Sequence, residues 1–204
     1  MKKILTLAIV LMALATRAQQ DPEVKPSVKT FSAVPQLRIY GFYPIHFGDS
    51  QFSEAYQAKP AFGFNLSPVR YKSWRLNLGV ERAVYEVDDP ARIALPVRRS
   101  AYHSVFAEIQ YTIGREDGFC LKPSVGAGGS ILYFNNGFND RFGKQEGTDL
   151  RAGLTADWAI FKHFSLFLTA HYVRSNIDVD TSQEFRDFYS KANSVQVGMG
   201  IVIR

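Results

Sequence analysis

From residue 36 onward the chain alternates between apolar and small-or-polar positions with a period of two. Eight stretches show it. The apolar sets are Leu37–Ile39–Gly41–Tyr43, Phe62–Phe64–Leu66, Trp74–Leu76–Leu78–Val80 and Val105–Ala107–Ile109–Tyr111–Ile113, then Phe119–Leu121–Val125–Ala127, Leu150–Ala152–Leu154–Ala156–Trp158, Phe164–Leu166–Leu168–Ala170–Tyr172 and Val195–Val197–Met199–Ile201–Ile203. Successive side chains of a strand point to opposite faces, so the pattern predicts eight two-faced strands. The connections alternate as well. Residues 48–57, 86–99, 135–148 and 174–193 form long links, whereas Tyr71–Lys72–Ser73, Gly114–Arg115–Glu116–Asp117–Gly118 and Phe161–Lys162–His163 are tight. Short turns at one end and long loops at the other describe an antiparallel up-and-down barrel.

Two barrels fit such a pattern. A soluble, lipocalin-like ligand-binding barrel places the apolar face inside; a membrane barrel places it outside. Three features favour the membrane barrel. Glycine crowds the non-apolar face at 63, 79, 126, 128, 153, 198 and 200, which suits a narrow interior better than a solvated surface. Charges of both signs share that face, with Arg38, Arg75, Glu81, Glu108, Lys122, Arg151, Asp157 and His171 forming a candidate interior polar network. Trp74, Tyr111, Phe119, Trp158 and Phe164 sit on the apolar face beside the short turns, as a girdle at a membrane interface does.

The N-terminus sets the route. Met1–Lys2–Lys3 is positive, Ile4 to Leu14 is an apolar run, and Ala15–Thr16–Arg17–Ala18 offers small residues for cleavage. Residues 1–18 therefore read as a signal peptide. The apolar run is too short to span ~30 Å of hydrocarbon as a helix. Residues 19–35, with three prolines, read as a flexible periplasmic lead-in, and 36–204 as the barrel. Of the formal charge of +5, most belongs to the leader. Without it 21 basic face 19 acidic side chains, too even a balance for a nucleic-acid partner.

At this point the chain resembles the small outer-membrane β-barrels of Gram-negative bacteria, the class of OmpA-type and OmpX-type barrels. The resemblance covers residues 36–204. The terminal strand Val195–Arg204 looks like the one that the barrel-assembly machinery reads in that family, although Arg204 stands where many members carry Phe or Tyr. The glutamine after the cleavage site resembles Bacteroidetes-like members. The resemblance implies export to the cell outer membrane, with outer-membrane lipid and lipopolysaccharide as surroundings and the assembly machinery as a partner in biogenesis.

Chemistry is sparse. His46, His103, His163 and His171 include no i, i+4 pair, no phosphate-binding glycine loop is present, and Cys120 is alone, so no metal site, cofactor or catalytic constellation is expected. The rival enzyme reading is a lipid A deacylase-like hydrolase using His171 and Ser175. Four residues of strand put these ~13 Å apart, beyond hydrogen-bond reach. Eight strands with large inward side chains leave no channel for general diffusion. Function then falls to structure or to loop-mediated binding of an unknown extracellular ligand. The binding candidates are Phe138, Phe142, Phe185, Phe188 and Tyr189, with a helical turn expected over 182–189 capped by Ser182.

Overall fold

A computed structural model describes residues 35–89, 93, 97–135 and 141–204, with only the backbone at 141 and 142. The expected signal peptide and nearly all of the lead-in lie outside the described residues. The chain order is β1 (Gln36–Phe47), α1 (Gln51–Glu54), β2 (Tyr56–Ala58), β3 (Ala61–Tyr71), β4 (Trp74–Val87), β5 (Arg99–Tyr111), β6 (Ile113–Gly114), β7 (Phe119–Asn135), β8 (Arg141–Phe161), β9 (Phe164–Ile177), α2 (Arg186–Ser190) and β10 (Lys191–Ile203).

The sheet closes on itself. Antiparallel pairing runs β4–β3–β1–β10–β9–β8–β7–β5, and β5 pairs back onto β4. First and last strands meet from Leu37↔Ile203 to Phe47↔Asn193, so neither edge is left open. β6 prolongs β5 beyond Thr112, whose N–H bonds to Ser73 O instead of to the ladder. β2 adds a short pairing against the far end of β4, from Tyr56↔Val87 to Ala58↔Tyr85. The register of β3 shifts between Leu66 and Val69, where Pro68 has no N–H to give the ladder.

Two expectations need correction. The link 135–148 is mostly strand: β7 runs to Asn135 and β8 starts at Arg141. The added length of β8 is polar on both faces, with Lys144 and Glu146 outward and Gln145 inward, while the end of β7 is apolar on both, with Ile131 and Tyr133 outward and Leu132 and Phe134 inward, so the period-two alternation disappears there. The helical turn also starts later than expected. Ser182 O accepts the Phe185 N–H in a preceding turn, and α2 begins at Arg186 with Phe185 rather than Ser182 at its N-cap.

Candidate functional site

The outer wall is apolar. Ile45, Phe64, Leu78, Ile109, Val125, Leu154, Leu168 and Met199, one from each of the eight strands, are all exposed. Val125 reaches 63% and Met199 64%. Water does not tolerate so continuous a belt, and this excludes the lipocalin-like barrel. At the short-turn end Trp74 stacks beside Tyr111 at 4.7 Å and Phe119 beside Trp158 at 5.1 Å, all four exposed, with Phe164 half-buried next to them.

Inside, the polar residues lie in layers. The lowest is organised by Glu116, in the tight turn before β7. Arg75 grips its carboxylate with two bonds of 3.1 and 3.0 Å, and Arg70 adds one of 2.8 Å. Burial opposes ionisation of Glu116, but Arg75 and the charges of Lys122 and Arg70 overcome it and hold its carboxyl at about 2. Lys122 also pairs with Asp157, which Arg38 approaches at 3.6 Å. Arg38 donates to Gln110 at 2.9 Å. Arg204 closes the mouth, donating from its guanidinium to Glu116 O at 2.6 Å.

The middle layer is built on Glu81. It accepts from Arg151 at 2.7 Å and from the Tyr40 hydroxyl at 2.6 Å. Arg151 also donates to Gln196 at 3.1 Å and lies 3.6 Å over the Phe106 ring. Glu108 accepts from Asn77 at 3.0 Å and faces His171 at 3.6 Å. The inward glycines make room for these side chains. A Cβ on Gly153 would lie within the His171 ring, one on Gly79 within the Phe106 ring, and one on Gly63 against Tyr40. Higher still, Asp149 accepts from Tyr102 at 2.6 Å, Ser104 at 2.6 Å and Ser130 at 3.0 Å.

Above this layer the interior turns apolar. Gly48, at a φ of 88°, turns the chain so that α1 drops into the mouth. Phe52 of α1 packs on Tyr85 at 5.2 Å, on Tyr56 at 5.5 Å and on His46 at 5.1 Å. Leu132, Phe134, Ile177 and Val179 are buried in the same cluster. The long-loop end is thus stoppered by a small hydrophobic core.

All eight side chains proposed for the interior network are buried. Sequence reading passed over Glu116, Asp149, Tyr40 and Tyr102, which hold three of the layers together. Glu116 fell in a turn, and Asp149, Tyr40 and Tyr102 sit on the polar parity of their strands, a signal that was there to be used. Of the loop aromatics, Phe138 and the side chain of Phe142 lie outside the described residues. Phe185 is exposed, Phe188 is half-buried against Tyr189, and Tyr189 packs on the apolar stopper. His171 and Ser175 are not brought together: His171 contacts Thr169, Ser124 and Glu108, while Ser175 bonds to Tyr102 at 2.9 Å. Among the described residues no group of three or more potential ligand side chains is placed to hold a metal ion.

An apolar outer wall around a paired polar interior, closed through eight strands, defines a small transmembrane β-barrel of the outer-membrane type. No family model matches the chain, and no curated protein matches it. Among solved structures it is similar to Neisserial surface protein A, at 12% identity and a TM-score of 0.58 over 85% of this chain and 97% of that one. It also aligns with OprG of Pseudomonas aeruginosa (12% identity, TM-score 0.48, 83% and 94% covered). The N-terminal barrel domain of Pseudomonas aeruginosa OprF aligns as well (14%, 0.44, 82% and 97%). The fold likeness rests on the first. Nothing in these comparisons supports the Bacteroidetes-like resemblance.

Proposed function

We propose that the protein resides in the cell outer membrane after signal-peptide-dependent export. There it acts as a non-enzymatic barrel closed to general diffusion, supporting the envelope or presenting its long loops to a ligand. The observation that carries the closure is the filled bore. Arg204, Glu116, Arg75 and Lys122 occupy the short-turn mouth, Arg151 and Glu81 the middle, and Phe52, Tyr56 and Tyr85 the long-loop mouth. An eight-stranded barrel whose interior is filled by side chains leaves no aqueous channel. Against a lipid A-modifying activity stands the separation of His171 from Ser175 into different bonded clusters. Among the described loop aromatics, exposed Phe185 is the best placed to meet a partner. Planar-bilayer recording tests the closure: purified protein should give no stable open state, and a steady conductance with weak ion selectivity overturns it.

A further inference from the structure

The outward positions of β4 read Trp74, Leu76, Leu78 and Val80, and then Arg82. Arg82 is exposed, and it sits in register between Phe62 of β3 and His103 of β5, both on the outer wall. Eight residues of strand above Trp74 amount to about 26 Å at ~3.3 Å per residue. With strands tilted ~40° that is about 20 Å along the membrane normal, against an apolar band ~25 Å tall. With Trp74 in the girdle at one edge, Arg82 lies near the other, where hydrocarbon gives way to headgroups.

Several exposed cations at this end have acids of their own. Lys59 and Arg99 share Glu86 at 3.0 and 3.1 Å, Lys144 holds Glu146 at 2.6 Å, and Lys191 holds Asp187 at 2.8 Å. Arg82 has no ion pair among the described residues, and the Lys59–Glu86–Arg99 group two outward positions above it carries a net positive charge. Arg174 repeats the arrangement four strands round the barrel. It faces outward one position above Tyr172, in register with Leu150 and Asn193, and has no ion pair among the described residues.

A long cationic stem lies along apolar surface while its head reaches the polar boundary. Among the described residues no carboxylate pairs with Arg82 or Arg174, which leaves each guanidinium open to an anion supplied by the membrane. A phosphate suits a guanidinium best, because it accepts two parallel N–H bonds from the planar fork. We propose that Arg82, with His103 beside it, binds the phosphate of a lipid headgroup in the leaflet facing the long loops. Arg174 holds a second such lipid on the opposite side. This rests on the membrane-spanning reading above and names a lipid class for it.

The test holds full-length protein in micelles of a phosphate-free maltoside detergent with a minor fraction of bisphosphorylated lipid A, or of the same lipid A stripped of its phosphates. Native mass spectrometry counts the retained molecules. The phosphorylated lipid should stay bound and the stripped form should not. Arg82→Gln should weaken its own site about fivefold, as expected for one cation at a headgroup surface, so that the mean count falls from near two towards one. The Arg82→Gln, Arg174→Gln double variant should weaken both sites about fivefold, and Arg115→Gln at the short-turn end should leave retention unchanged. Equal retention of both lipids, or full retention by Arg82→Gln, overturns the proposal. Displacement by millimolar inorganic phosphate overturns the lipid in favour of a soluble anion. Heat-modifiable gel mobility reports folding of each variant; Arg82→Lys, which keeps the charge, should retain lipid if Arg82→Gln does not fold. A steady conductance would leave this result standing, and a failed lipid test would leave the closed bore standing.

Discussion

Arg151→Met isolates the cost of a single unpaired charge in the bore. Arg151 and Glu81 are 1% and 2% exposed, and their charges lie 2.7 Å apart. Their gross attraction is about 6 kcal/mol at an effective dielectric of about 20, most of it offset by the cost of taking both ions out of water. Methionine fills much of the same volume, so the loss comes from Glu81, left as a buried carboxylate with only the Tyr40 hydroxyl for a partner. Breaking one side of such a pair costs about 3–5 kcal/mol, while replacing both sides with uncharged groups is often near neutral. The cation–π contact with Phe106 adds to the loss. Arg151→Met alone should therefore destabilise by about 3–5 kcal/mol. The double variant Arg151→Met, Glu81→Gln should recover at least about half of that, a coupling of about 2 kcal/mol. Urea unfolding from lipid vesicles, followed by the fluorescence of girdle residues Trp74 and Trp158, reads both quantities. A cost for the single variant below about 1 kcal/mol, or strict additivity in the double, would refute the paired-interior reasoning.

Leu154→Arg places a cation on the lipid face at mid-strand and should cost about 2–4 kcal/mol in the same unfolding assay. Phe164→Arg, beside a short turn, should cost about 0–1 kcal/mol. Gly153→Ala drives a methyl into the His171 ring and should destabilise by about 1–3 kcal/mol; adding His171→Ala should relieve most of that, and failure to do so would show that the glycine serves another purpose. Glu116 has its carboxyl lowered from the usual 4.5 to about 2 in the folded state. Its contribution is therefore complete above about pH 5 and is lost as pH falls from 4.5 through about 2. An acid-unfolding curve should show that loss, and Glu116→Gln should flatten the curve across the same window.

The number of strands, their faces and the alternation of tight and long connections are legible in residue order alone. A side-chain period of two is written directly into residue order, and each strand is two-faced along its whole membrane span. The sequence also assigned the inside of the bore, because charges such as Arg151 and Asp157 and glycines such as Gly153 share one parity. What it did not determine was who meets whom across that bore. Arg151 pairs with Glu81 seventy positions away, and Glu116 gathers Arg70, Arg75 and Lys122 from three different strands. Such meetings depend on closure, register and the stagger of a closed sheet, and no local pattern encodes those. The same limit hid the long-loop end. Towards the long loops the end of β7 is apolar on both faces and the start of β8 polar on both, so alternation fades even as pairing continues. The stopper of Phe52, Tyr56 and Tyr85 likewise comes together only because α1 folds back into a mouth that other strands have built.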